Sequence, residues 1–157
     1  MSKQDFKFKD IGSKPVPSIL RNFSAPVKLQ TDLADEDLAF LMVHDSDGFN
    51  KWEAGQTYAH RVISQMLEDD ATEPPESFID SIGDLIERAL DPQSDKALMA
   101  RALTLPSISE IGQQQKIVDP SAIARVRQSV QAAIKREHKS ALLKLYKENT
   151  SSVLKLD

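Results

Sequence analysis

The sequence predicts a mainly α-helical protein: a layered, solenoid-like array of paired antiparallel helices, entered from a few short β-strands. Three observations carry this reading. From Leu33 onward every periodic segment repeats its apolar residues at three or four positions, the spacing of one helix face. Before that point, Phe6-Lys7-Phe8-Lys9 alternates apolar and charged residues, as a half-buried strand does. The helical segments are joined by short connectors with no strand between them, so neighbours run antiparallel, and no repeat of fixed length is visible, so the array is irregular.

After Phe6 to Lys9, the stretch Gly12 to Pro17 punctuates the chain. Ile19 to Phe23 and Val27 to Leu29 read as two further extended pieces, with Pro26 favouring an edge or a bulge between them. Asp35 to His44 is the first helix, with Asp35, Glu36 and Asp37 in the dipole-favoured first turn and Asp32 expected to act as its cap. A second helix runs from about Gly48 to Glu68 on a stripe of Phe49, Trp52, Gly55, Ala59, Ile63 and Met66, and Asn50 with Glu53 reads as its cap pair. Pro74-Pro75 opens the third, whose stripe is Phe78, Ile82, Leu85 and Ala89, and Asp91-Pro92 stops it. Ser94 to Thr104 forms a short fourth, and the capping-box spacing of Ser107 and Glu110 starts a fifth. Asp119 caps the last helix, with Pro120 at its first position, and the pattern continues to about Lys147.

The chain has 157 residues, 40% hydrophobic and 28% charged, which suits one real core. It contains no cysteine, which excludes a disulfide framework and thiolate chemistry. No apolar run approaches the roughly 20 residues of a membrane span, and the first residues lack the apolar centre of a signal peptide. The expectation is a soluble, cytoplasmic protein with no membrane partner. Charge is unevenly spread: residues 1–30 carry six Lys or Arg against two acids, 31–95 three against seventeen, and 96–157 eleven against five. Opposite fields of this kind help successive layers of one fold pack. The basic side of the last helix (Arg125, Arg136, Lys139, Lys147) reads as a solvated face, because no nucleic-acid motif and only Tyr146 for stacking accompany it; no nucleic-acid partner is expected.

The search for chemistry assigns no catalytic, cofactor-binding or metal-ligating residue. His44, His60 and His138 belong to no H-E-x-x-H pair that would set two zinc ligands on one helix face. Asp45-Ser46-Asp47-Gly48 looks like the start of a calcium loop, but aligning Gly48 to the invariant glycine puts Val43 and Ala54 where the two essential carboxylates belong. A helix-to-helix turn is the better account. Glu137 falls near the centre of the last helix's apolar side, so it needs a partner on a neighbouring element or a bend in the helix.

Four ordered blocks carry a resemblance. Pro15 to Leu29 (PVPSILRNFSAPVKL), Leu38 to Met42 with Phe49 to Gln56 (FNKWEAGQ), Ala102 to Ser107 (ALTLPS) and Val118 to Ile123 (VDPSAI) resemble, in order and spacing, the bacterial aminopeptidase N family of zinc metallopeptidases. The similarity runs from about Phe6 to Asn149, where that family's small β-sandwich domain hands over to its C-terminal helical domain. The resemblance implies an irregular armadillo/HEAT-like helical array preceded by strands left from an Ig-like sandwich. The expected division is residues 1–30 as terminal strands of an incomplete sandwich and 31–157 as the first part of the helical domain, with Pro26 to Leu33 as the hinge. It further implies a non-catalytic C-terminal portion of an enzyme that removes N-terminal residues from peptides. Zinc is the cofactor of the parent and none is expected in this portion. The partners are the remaining catalytic and sandwich domains, with peptides as the parent's substrates. The family's Gly-x-Met-Glu-Asn motif is absent here, so the chain is expected to be inactive alone and to help enclose the active-site chamber. A free-standing helical interaction module is the alternative.

Overall fold

The computed structural model describes residues 5, 7, 9–24, 27 and 31–150. Among the described residues six α-helices follow one another: α1 (Asp35–His44), α2 (Gly48–Glu68), α3 (Glu76–Ala89), α4 (Lys96–Ala102), α5 (Ile108–Gly112) and α6 (Pro120–Asn149). Local chemistry sets most of the boundaries. Ser107 and Glu110 form the reciprocal box at α5, with Ser107 N–H donating to Glu110 Oε2 at 2.7 Å and Glu110 N–H to Ser107 Oγ at 3.2 Å. Asp119 Oδ1 accepts from Ser121 and Ala122 N–H at the start of α6, ahead of Pro120. Asp95 caps α4 by accepting from Leu98 N–H.

Two caps differ from expectation. The N-cap of α2 is Asp47, whose Oδ1 accepts from Phe49 and Asn50 N–H, both at 3.0 Å; Asn50 is already inside the helix and turns its amide elsewhere. At α1 the cap position is Ala34, which offers no acceptor, and Asp32 does not replace it. Asp37 Oδ2 instead takes the Ala34 N–H at 3.4 Å, and Arg61 of α2 ties the entry by donating to Leu33 O at 2.7 Å and Asp35 Oδ1 at 3.0 Å.

Packing centres on α2 and α3. Helix α1 lies against both, α6 crosses both, and the short α4 and α5 cover α2. The core joins Leu38, Leu41 and Met42 of α1, Tyr58, Ile63 and Met66 of α2, Phe78, Leu85 and Ile86 of α3, and Ile123, Val126 and Val130 of α6. Tyr58 and Phe78 meet edge to face at 5.0 Å. Gly55 is buried where α2 faces α1 and α4: a Cβ there would make ordinary contact with Met42 Cβ at 3.7 Å and Ala102 O at 4.0 Å. The charge asymmetry enters this packing, since the acidic turn after α2 meets the basic side of α6 through Arg125–Asp70 at 3.3 Å and Arg136–Glu73 at 3.1 Å.

The bend expected near Glu137 is present one residue later. His138 leaves helical geometry (φ −114°, ψ 21°) inside α6, which turns Glu137 to the surface, where Arg136 Nε donates to it at 2.8 Å. His138 takes the inward position. Its Nε2 donates to Ile79 O at 3.0 Å, and the ring lies so close to Gly83 that an added Cβ would stand 2.5 Å from its Cε1. Substituting Gly83→Ala should therefore destabilise the protein by about 1–2 kcal/mol despite the better helix propensity of alanine, because overpacking outweighs it. In the background of His138→Ala the same substitution should be neutral or stabilising, a double-mutant cycle read by urea denaturation.

The N-terminal segment is not extended where expected. Ile19 to Phe23 contains a 3₁₀ turn at Arg21–Phe23, with Leu20 (φ 57°) and Asn22 (φ 55°) both left-handed. The physical reason lies outside the segment: its polar groups are taken by the α1–α2 turn, so no strand ladder is needed to satisfy them. Among the described residues there is no β-strand. The other two expected strands, Phe6 to Lys9 and Val27 to Leu29, lie in part outside the described residues, as does half of the hinge at Pro26 to Leu33.

Candidate functional site

The four residues Asp45 to Gly48, which the sequence presents as a false calcium loop, build a clasp on the N-terminal segment. Asp45 is the C-cap of α1 and is buried at 7% exposure. Its Oδ1 accepts from Arg21 Nη1 at 3.1 Å and from Asp47 N–H at 2.8 Å. Arg21 Nη2 also donates to Ser46 Oγ at 2.6 Å. Asp47 serves two elements at once, capping α2 through Oδ1 and accepting the Asn22 N–H at 3.0 Å through Oδ2. Asn50 completes the clasp by donating to Ile19 O at 2.9 Å and Ser18 Oγ at 3.0 Å.

These contacts explain the electrostatics of the turn. The backbone N–H of Asn50, followed by that of Asn22, holds the Asp47 carboxyl below its ordinary range, with the smaller opposing effect of burial. Nearby, burial pushes the Lys51 ammonium down, and the Arg88 guanidinium acts in the same direction. Among the described residues, Asp45 Oδ2 is buried with no hydrogen-bond partner. The clasp bounds an apolar cleft of about 540 Å³ whose walls include Pro17, Ile19, Leu38, Leu41 and Phe49. Arg21 and Asn22 fall within the blocks that carry the resemblance and have no role read from them, and Asn50 is expected only in a cap; a salt bridge across 24 residues leaves no local signal.

The histidines are spread over three places. His44 stacks on Phe40 at 4.7 Å and shares a 2.8 Å hydrogen bond between its Nδ1 and Arg88 Nη2. His138 is committed to Ile79 O. His60 lines a polar groove of about 320 Å³ between α2 and α5, with its Nδ1 buried and unpartnered. Burial lowers the His60 pKa below its ordinary 6.5, with Glu110 opposing. The unfolded chain then binds more protons than the folded one just below pH 6.5, so stability should fall as pH drops from 6.5 towards the lowered folded value; His60→Gln should flatten that part of a urea-midpoint against pH curve. Among the described residues no group of three or more His, Asp or Glu converges on a point that could hold a metal. The described residues do not bring together a donor set for zinc.

What fold and clasp define is an array of helices fastened to an N-terminal segment. A family profile described as a domain of unknown function, DUF3458_C, with ARM repeats, matches residues 35–156, and a companion profile, DUF3458, described as an Ig-like fold, matches residues 1–32. The chain belongs to this family. It is 34% identical over 157 residues to aminopeptidase N of Escherichia coli, covering 99% of this chain and 18% of that protein. It is 37% identical over 129 residues to aminopeptidase N of Caulobacter vibrioides, covering 82% of this chain and 15% of that protein. The crystal structure of Legionella pneumophila aminopeptidase A in complex with aspartic acid superposes with a TM-score of 0.77 at 27% identity, covering 97% of this chain and 18% of that one. The chain thus spans less than a fifth of the relatives it matches, and it corresponds to a C-terminal helical portion of an aminopeptidase.

Proposed function

We propose that this chain is the non-catalytic joint and first helical layers of a zinc-dependent aminopeptidase N, which removes N-terminal amino acids from peptides. In this reading residues 1–30 are the last strands of the sandwich, and 31–157 begin the helical domain that helps enclose the active-site chamber. The observation that carries it is the clasp. Ser18, Ile19, Arg21 and Asn22 lie in the Ig-like match, and their partners Asp45, Ser46, Asp47 and Asn50 lie in the helical match. Six side chains, those of Ser18, Arg21, Asp45, Ser46, Asp47 and Asn50, thus tie the two matched segments together, which suits a chamber wall rather than a catalytic centre.

The partners in this reading are the catalytic and sandwich domains of the same parent, with peptides as the parent's substrates and zinc held in the catalytic domain. Cytoplasmic residence fits the absence of cysteine. No helix among the described residues is long and apolar enough to cross a membrane. Replacing the aligned segment of the Escherichia coli aminopeptidase N with this chain tests the proposal. The chimaera should keep aminoacyl-anilide hydrolysis within about tenfold of the parent, the penalty expected for imperfect interdomain packing of about 1.4 kcal/mol, while the chain alone with equimolar zinc should show none. Stoichiometric zinc binding and anilide cleavage by the chain alone would sink it.

A further inference from the structure

We draw no further inference here: the strongest candidate, the apolar cleft of about 540 Å³ between the N-terminal segment and helices α1 and α2, adjoins the clasp already described, and nothing in the structure shows what covers it.

Discussion

Asp47→Ala should lower the stability of this protein by about 2–3 kcal/mol, most of it from the lost cap of α2 and the rest from the lost acceptor of Asn22 N–H. One carboxylate holds two elements, so both are released together. Asp47→Asn should recover much of the loss, because asparagine caps helices nearly as well as aspartate. The pH dependence has a definite sign. Hydrogen bonds from Asn50 and Asn22 depress the folded carboxyl, so its contribution is complete above the ordinary value of 3.8 and is lost as pH falls through the lowered folded value. Urea titrations between pH 2.5 and 7 should show a shallower acid loss for Asp47→Ala than for the parent sequence. An Asp47→Ala protein within 0.5 kcal/mol (~0.5, the range of ordinary surface substitutions) would show that the clasp is incidental.

Phe78→Ala should have the larger effect on the core, about 3–5 kcal/mol. Phe78 is 1% exposed at the start of α3 and packs edge to face on Tyr58 of α2, whose hydroxyl in turn pairs with Ser77 Oγ at 3.2 Å. Alanine leaves a cavity between the two central helices that neither can close without moving α1 or α6. For a protein of this size the melting temperature should fall by roughly 10 °C. Phe78→Leu keeps most of the volume and should cost only about 1–2 kcal/mol. If the two variants melted together, the space between α2 and α3 would be softer than the packing here implies.

Much of the fold was legible in the chain. The stripe of α3 (Phe78, Ile82, Leu85, Ala89) is buried as its spacing requires, and Ser107 with Glu110, and Asp119 with Pro120, begin helices where capping chemistry says they should. The family blocks were legible as well, because they are packing motifs: Ala54 and Gly55 are buried in α2, and Leu105 and Pro106 are buried just ahead of α5. Glu137 announced a bend through its misplaced charge, although periodicity alone could not say that His138 would take the turn.

The candidate site was legible in its letters and hidden in its assembly. Asp45 to Gly48 drew notice for the wrong chemistry, and Arg21 drew none beyond the resemblance. Their meeting depends on two left-handed residues, Leu20 and Asn22, in a stretch whose side chains favour extension. That conformation is stabilised by acceptors 24 and 25 residues away, so no local propensity could report it. The groove on α2 is similar: Glu53 and His60 lie on one helical face, which spacing does show, but Glu110 joins them only because α5 docks there. The sequence by itself determined the helices, the caps of α5 and α6 and the family, since these follow from periodicity, short-range hydrogen bonding and the ordered blocks. Only the tertiary structure decided the clasp, the His138–Gly83 contact and the polar groove, because each is made by groups that the chain brings together after its helices have packed.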